Sequence, residues 1–321
     1  MPPPRPTAGL LGPVQRPTAG APVGHARPPR HPNDAVTSGP MDAHARAVDT
    51  TDGGRLAVTH WRAEGPTVVL LHAGVTDQRS WTAVAGDLAH EQVDVVAYDR
   101  RGFGASPAAE TTSTFTHVAD LTEVLDHLAL DRVMLVGNSL GGALALDAAL
   151  LHPDRVTGVV LIGAAVSGMT DDDTPFDWQP DTATAHLIDK ADDASLSTDD
   201  RLRALAHLWL DGPASTEGRV GGGARTLFSE MNRDIVDVDE TGPTGDAGVD
   251  AWTRLAELTV PVLSTWGELD LPCDIPFYEE TARRIAQRPG RVLPKVAHLP
   301  GLEQPRLVAD LIGDELRRLQ R

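Results

Sequence analysis

The sequence predicts a doubly wound, mostly parallel α/β sheet with an inserted, largely helical cap. From residue 44 onward, short apolar runs that are typical of buried parallel strands alternate with segments of helical periodicity. This alternation stops once, over residues 170–250, and then resumes. We therefore expect a core made of residues 41–169 and 251–321, with the cap at residues 170–250.

Residues 1–40 differ in composition from the rest of the chain. They hold 11 of the 25 prolines, contain the pentapeptide Arg-Pro-Thr-Ala-Gly twice, and have no periodic apolar pattern. Such a segment cannot bury enough apolar surface to offset the entropy lost on ordering. We expect it to be disordered, and the alternative is that Met41 is the true start of the protein.

The core elements follow from the apolar pattern. Residues 55–61, preceded by the turn sequence Asp-Gly-Gly, predict an N-terminal hairpin arm. Helical spacing predicts connecting helices over residues 115–128 and 140–151, the second ending just before Pro153. Apolar runs predict buried strands at residues 67–71, 93–98, 133–136, 159–162 and 260–265.

The interruption at residues 170–250 is acidic, with 16 Asp and 3 Glu against 6 Lys and Arg. Residues 200–210 have helical spacing, and three consecutive glycines at 221–223 indicate a turn. Long insertions in compact domains are commonly functional, so we expect a lid over a site, with a decorative surface insertion as the alternative. Trp209 in this segment either anchors the lid or lines a pocket.

Composition excludes several classes of function. A hydrophobic fraction of 41%, a mean hydropathy of -0.19 and the lack of a long apolar run fit a soluble globular protein without a membrane-spanning helix. A net charge of -18 argues against nucleic acid or an anionic membrane as partner. A single cysteine, Cys273, excludes an internal disulfide and a cysteine-built zinc site, and we expect it to be incidental. No export signal is visible, so we expect a cytoplasmic location.

The strongest motif is Gly137-Asn138-Ser139-Leu140-Gly141, which follows an apolar strand and opens a helix. In this context Gly-x-Ser-x-Gly is typical of a nucleophile elbow, a sharp strand-to-helix turn that presents a reactive serine. The glycines relieve the crowding of such a turn, and the helix N-terminus favours developing negative charge. Ser139 is therefore the candidate nucleophile, with a plain Gly-Ser turn as the alternative.

A serine nucleophile requires a base, and the base requires an orienting carboxylate. Asp270 lies in the turn after the strand at 260–265, and His298 follows a short strand expected at 291–293. Because the C-terminal ends of parallel strands meet at one edge of a sheet, we expect all three side chains at the same rim. Glu268 is the competing acid, and capping of the last helix is the alternative role for His298.

An oxyanion is expected to bind two backbone amides. One should belong to Leu140, directly after the serine, and the other to the loop at residues 72–75 that follows the strand at 67–71. We favour the amide of Gly74, with Val75 as second choice. We expect His72 to stabilise this loop rather than to act as an acid or base.

Together these segments resemble the α/β-hydrolase family. Two further stretches match it: Tyr-Asp-Arg-Arg-Gly-Phe-Gly-Ala-Ser at 98–106, and Ala-His-Leu-Pro at 297–300 followed by Leu-Glu-Gln-Pro at 302–305. The resemblance covers residues 44–321 apart from the middle of the insertion. It implies a serine that is acylated and then released by water, with the insertion as the cap. The pattern is most similar to small-molecule esterases and enol-lactonases, whereas Ser139 departs from the aspartate nucleophile of dehalogenases and most epoxide hydrolases.

We therefore expect a serine hydrolase that cleaves a small acyl ester or lactone through an acyl-enzyme, without cofactor or metal. The acidic insertion disfavours anionic substrates unless Arg219 or Arg225 points inward, so we expect a neutral substrate. Three alternatives remain. Asn138 resembles its counterpart in carbon-carbon bond hydrolases of ring-cleavage products, and the turn at 99–102 resembles that of cofactor-free haloperoxidases or perhydrolases. The fold also permits a catalytically silent binding module. The oligomeric state is left open.

Overall fold

A computed structural model of the chain describes residues 43–109, 114–169, 178–236 and 245–321. The segment 1–40, for which disorder was predicted, lies outside the described residues. So do residues 170–177 and 237–244 of the predicted cap.

Eight strands form one sheet. They are β1 (Ala43–Asp49), β2 (Arg55–Trp61), β3 (Thr67–Leu71), β4 (Asp94–Tyr98), β5 (Val133–Asn138), β6 (Val156–Ile162), β7 (Val262–Gly267) and β8 (Arg291–Leu293). Their order is β1-β2-β4-β3-β5-β6-β7-β8. β2 pairs antiparallel with β1 and β4, and every pair from β4 to β8 is parallel. The hairpin arm and the mostly parallel sheet are thus confirmed.

Helices connect the strands. They are α1 (Thr82–His90), α2 (His117–His127), α3 (Leu140–Leu151), α4 (Thr182–Asp192), α5 (Thr198–Ala206), α6 (Gly222–Val236), α7 (Ala251–Arg254), α8 (Ile275–Ile285), α9 (Pro300–Glu303) and α10 (Pro305–Leu319). The helix predicted at 140–151 is present with those bounds. The helix predicted at 115–128 is shorter, because the Thr116 side chain caps its start by accepting a hydrogen bond from the Ala119 amide.

The sheet separates two apolar cores. In β3, Val69 and Leu71 face the core beneath α2, α3 and α8, whereas Val68 and Leu70 face the core beneath α1 and α10. Because both faces are covered, these strands are continuous apolar runs rather than alternating ones. The predicted doubly wound α/β fold is confirmed.

The segment between β6 and β7 holds α4, α5, α6 and α7. Asp181 and Ser197 cap the starts of α4 and α5. Each side chain accepts a hydrogen bond from the backbone amide three residues later, which belongs to Thr184 and Asp200 respectively. Helical structure is present where it was predicted, at residues 200–210. It is not a single α-helix, because α5 ends at Ala206 and a π-helical turn follows over His207–Asp211. Apolar residues of this segment form a third core together with Ala73 and Leu299, which belong to loops at the C-terminal edge of the sheet. The helices α4, α5 and α6 therefore lie over that edge, whereas Ala251 and Trp252 of α7 pack in the core beneath α2, α3 and α8.

Candidate active site

Ser139 occupies a strained turn between β5 and α3. Its backbone has φ 54° and ψ -120°, a conformation that costs a non-glycine residue about 1–3 kcal/mol. The turn is held on both sides, since the Ser139 amide donates to the Ile162 carbonyl and its carbonyl accepts from the Ala165 amide. A Cβ atom at Gly141 would collide with the Leu71 carbonyl oxygen, which explains the glycine there. The local geometry is the sharp strand-to-helix turn that a nucleophile elbow requires.

Asp270 and His298 are in direct contact. The His298 Nδ1 atom lies 3.0 Å from each Asp270 carboxylate oxygen, and both side chains are fully buried. Since a carboxylate only accepts hydrogen bonds, Nδ1 carries the proton and Nε2 is left with a free lone pair. Burial by itself lowers the pKa of His298, but the charge and hydrogen bond of Asp270 outweigh it, so this pKa is raised. The imidazole is therefore oriented and made more basic.

Two other groups near this pair take no part in the contact. Glu268, the competing acid, is exposed and accepts a hydrogen bond from the Lys295 amide. Cys273 is half-buried, and burial followed by the nearby Asp274 carboxylate raises the pKa of its thiol far above its usual range. Because the thiolate is the reactive form of cysteine, this thiol is a poor nucleophile.

Two residues that sequence reasoning did not assign bring the serine and histidine loops together. The Asn138 side-chain amide donates to the carbonyl oxygens of both Ile162 and His298, at 2.9 and 3.0 Å. Gly163 has φ +50°, and a Cβ atom there would lie 3.2 Å from His298 Nδ1 and 3.0 Å from Asp270 Oδ2. The sequence contained one signal for this bridging role, because Asn138 is a polar residue at the end of an otherwise apolar strand.

The loop at residues 72–75 lies beside the start of α3. A Cβ atom at Gly74 would come within 2.7 Å of the Leu140 side chain, so the two residues named for the oxyanion amides are neighbours. His72 is fully buried, with Nδ1 donating to the Ala73 carbonyl and Nε2 accepting from the Arg100 amide. Burial, then the Arg100 charge, lowers its pKa well below the usual value. A neutral imidazole that bonds backbone at both nitrogens stabilises this loop.

Trp209 brings the insertion to the candidate site. Its ring centroid lies 4.7 Å from that of His298, and the side chain is buried in the third core. The indole thus anchors the inserted helices in this core and packs against the imidazole at an interplanar angle of 49°, and its expected role in lining a pocket stays a prediction.

A family model for the alpha/beta hydrolase fold matches residues 66–305. The chain belongs to the α/β-hydrolase fold family. An uncharacterised hydrolase of Bacillus subtilis is 28% identical over 282 residues, which are 84% of this chain and 96% of that protein. A 2-hydroxy-6-oxo-2,4-heptadienoate hydrolase of Pseudomonas putida is 42% identical over 117 residues, which are 35% of this chain and 42% of the relative.

Solved structures agree with this α/β-hydrolase fold. That of a thermophilic esterase from Thermogutta terrifontis superposes with a TM-score of 0.64 at 24% identity, covering 87% of this chain and 100% of that one. The family and its relatives identify the chain as a hydrolase. Within the described ranges, no helix is long and apolar enough to cross a bilayer, and no three His, Cys, Asp or Glu side chains are grouped as metal ligands.

Proposed function

We propose that this α/β-hydrolase is a serine hydrolase of small acyl esters or lactones that works through an acyl-enzyme. Ser139 is the nucleophile, His298 the general base and acid, and Asp270 the carboxylate that orients the imidazole. The observation that carries this proposal is the buried contact of His298 Nδ1 with both Asp270 oxygens at 3.0 Å. It leaves Nε2 as the acceptor that a general base requires.

The reaction would proceed in two halves. His298 Nε2 takes the Ser139 hydroxyl proton as Oγ attacks the carbonyl carbon, and the imidazolium then gives that proton to the leaving alkoxide. Water, deprotonated by the same nitrogen, next attacks the acyl carbon, and the imidazolium returns the proton to Ser139 Oγ as the bond to the acyl group breaks and the acid leaves. The backbone amides of Leu140 and Gly74 bind the oxyanion in both halves of the reaction, and the Val75 amide is the second choice in place of Gly74. Losing one such donor costs about 3 kcal/mol of transition-state stabilisation.

A neutral substrate fits the charges around the site best. Arg219 donates to the Glu303 carboxylate and to three backbone carbonyls, and Arg225 pairs with the buried Asp211 carboxylate and the Val220 carbonyl. Both guanidinium groups that could have received a substrate carboxylate are thus engaged within the protein. The buried carboxyl of Asp274 adds to the negative environment, which disfavours an anion.

We also propose that residues 170–250 act as a cap that limits access to this site. Support comes from the contact between the Trp209 and His298 rings and from the core that the inserted helices share with Ala73 and Leu299.

Hydrolysis of p-nitrophenyl esters of increasing acyl length tests the proposal. Wild type should turn over these esters, and Ser139→Ala should lose on the order of 10⁴-fold or more in kcat. Ser195→Ala is the matched control, since Ser195 is an exposed serine of the insertion. Activity that survives in Ser139→Ala would refute the assigned nucleophile, and a fluorophosphonate that labels wild type but not this variant would support it.

A carbon-carbon bond hydrolase is the second candidate. It is favoured by the Gly-Asn-Ser sequence at 137–139 and by the Pseudomonas putida relative named above. Such an enzyme would cleave an enol-ketone and barely turn over simple esters. Comparing kcat/KM for the two substrate types therefore separates the candidates.

A further inference from the structure

The insertion is fastened to both loops that carry the Asp270–His298 pair. We propose, resting on the function proposed above, that Arg219 and Glu303 are positioning residues through which the insertion holds His298 in place. The link runs from an inserted loop, through two side chains, to the backbone amide one residue before His298.

Glu303 forms the core-side half of the link. One carboxylate oxygen accepts a hydrogen bond from the Ala297 amide at 2.7 Å, and the other accepts from Arg219 Nη2 at 2.5 Å. The Glu303 side chain is 2% exposed, so the carboxylate has little water to replace either partner. Losing Arg219 would therefore leave a buried carboxylate without its cation, which is costly.

Arg219 forms the insertion-side half. Besides Glu303, its guanidinium donates to the carbonyls of Leu210 and Asp211 in the π-helical turn and to that of Lys295 in the histidine loop. These four acceptors lie on three segments and fix the planar Arg219 guanidinium in one orientation. The single ammonium group of a lysine could not make the same set of hydrogen bonds.

The loop that presents Arg219 is itself held rigidly. The Asp211 carboxylate is fully buried, pairs with Arg225, and accepts hydrogen bonds from the Gly218 and Val220 amides. These amides flank Arg219 directly, so its backbone is fixed before its side chain reaches Glu303.

The same inserted segment contacts the acid loop. Gly212, with φ +85°, packs so closely on the Leu269 carbonyl that a Cβ atom there would collide with it. Leu269 precedes Asp270, just as Ala297 precedes His298. Trp209 packs its ring against the His298 imidazole. The inserted residues from 209 to 219 therefore contact His298 itself and the chain next to Asp270. This part of the insertion is a fixed wall of the site rather than a moving lid.

The charged groups facing His298 come from three elements. They are Asp270 after β7, Asp274 just before α8, and Glu303 on α9, and each raises the pKa of the imidazole. The Trp178 indole donates to Asp274 at 2.7 Å, so a second inserted residue holds a second of these carboxyl groups. A change in the Arg219–Glu303 link should therefore alter both the position and the basicity of His298.

The test compares Arg219→Gln, Arg219→Lys and Glu303→Gln with wild type. Arg203→Gln is the control, because Arg203 is an exposed arginine of the insertion that pairs only with Asp200 and Glu217 among the described residues. Two quantities are measured well below each variant's Tm: kcat and KM for a p-nitrophenyl ester, and the pKa of His298 from an NMR titration of the labelled imidazole.

We expect Arg219→Gln to lower kcat by roughly ten- to a hundredfold with little change in KM, since a misplaced base affects the transition state more than binding. Arg219→Lys should recover part of this loss. Glu303→Gln keeps an acceptor for the Ala297 amide but removes a negative charge, so the pKa of His298 should fall. Arg203→Gln should match wild type in both measurements.

Wild-type kcat and an unchanged His298 titration in both Arg219→Gln and Glu303→Gln would overturn the proposal, even if Tm were lower. The NMR titration needs no substrate. If wild type neither hydrolyses esters nor reacts with a fluorophosphonate, the proposed function fails, but the variants still decide whether this link controls His298.

Discussion

The Asn138 side-chain amide donates a 3.0 Å hydrogen bond to the main-chain carbonyl of His298. Asn138 is the residue directly before Ser139, so this bond joins the loop of the candidate nucleophile to the loop of the candidate base. It crosses from the end of β5, in the middle of the sheet, to the segment after β8 at its edge. The relative placement of serine and histidine thus depends on a side chain that does no chemistry itself.

Asn138→Ala tests this dependence. The buried His298 carbonyl oxygen loses the donor that Asn138 supplies, whereas the Ile162 carbonyl keeps the hydrogen bond from the Ser139 amide. An unsatisfied buried carbonyl costs about 1–3 kcal/mol. We expect a lower free energy of unfolding and a drop in kcat that exceeds any rise in KM. Urea unfolding and ester hydrolysis measure the two effects, and unchanged kcat in the folded variant would contradict the positioning role.

Gly163→Ala should damage catalysis by crowding the pair. The new methyl group would meet His298 Nδ1 at 3.2 Å and Asp270 Oδ2 at 3.0 Å, in a backbone with φ +50°. Gly53→Ala is the matched control, since Gly53 has φ +87° with no atom within 4 Å of its Cβ position. Both variants should lose about 1 kcal/mol of stability, but only Gly163→Ala should lose kcat. Equal kcat in the two would mean that the pair tolerates the methyl group.

The pH dependence of ester hydrolysis should report His298. The base acts only when Nε2 is unprotonated, so kcat/KM should rise with pH through the pKa of His298. That pKa is raised above the usual value of about 6.5, chiefly because Asp270 outweighs burial. Asp270→Asn should move the midpoint to lower pH and reduce kcat by on the order of 10⁴-fold. A midpoint that stays in place in Asp270→Asn would argue against His298 as the titrating group.

Arg101 should contribute to stability rather than to chemistry. Its buried guanidinium pairs with Asp120, also buried, and with Asp52 of the β1–β2 turn. Arg101→Gln leaves a buried carboxylate without its cation, which should cost about 3–5 kcal/mol. Arg306→Gln breaks exposed pairs with Glu91 and Asp310 and should cost at most about 1 kcal/mol. Similar losses of unfolding free energy in the two variants would contradict this assignment.

Stability should fall as pH rises from 5 to 8. Burial raises the pKa of Asp99, Asp147 and Asp274 to about 6 and that of Glu303 to about 7. Between their usual pKa values near 4 and these raised values, the folded state binds more protons than the unfolded state. By linkage, the free energy of unfolding then decreases with increasing pH. Denaturant unfolding at pH 5 and pH 8 measures this. In Asp147→Asn the free energy of unfolding should depend less on pH. An unchanged pH dependence in this variant would contradict the raised pKa of Asp147.

The strand-helix order and the loops of the candidate site could be predicted from sequence, because both depend on local patterns. A parallel strand buried on both faces is an apolar run, and the residue after it lies at the rim of the sheet. This rule, together with the Gly-x-Ser-x-Gly motif and the need of a serine nucleophile for a base and an acid, selected Ser139, Asp270 and His298 as candidates.

Contacts between distant segments could not be predicted in this way. The preference for Asp270 over Glu268 at the imidazole depends on which side of the turn each carboxylate faces. Likewise, Arg219 was considered as a receptor for a substrate carboxylate, whereas it donates to Glu303, 84 residues later in the chain. Neither periodicity nor spacing contains that information.

The anchoring of residues 209–219 has a consequence for protein engineering. Caps of related enzymes cannot be exchanged here as independent modules at the strand boundaries, because a foreign insertion would arrive without Gly212 and Arg219. A chimera should keep these residues with the host, together with Arg225 of α6, which pairs with Asp211, and replace only α4. Under the cap role proposed above, recombination at those points should change access to the site while the acid and histidine loops keep their support.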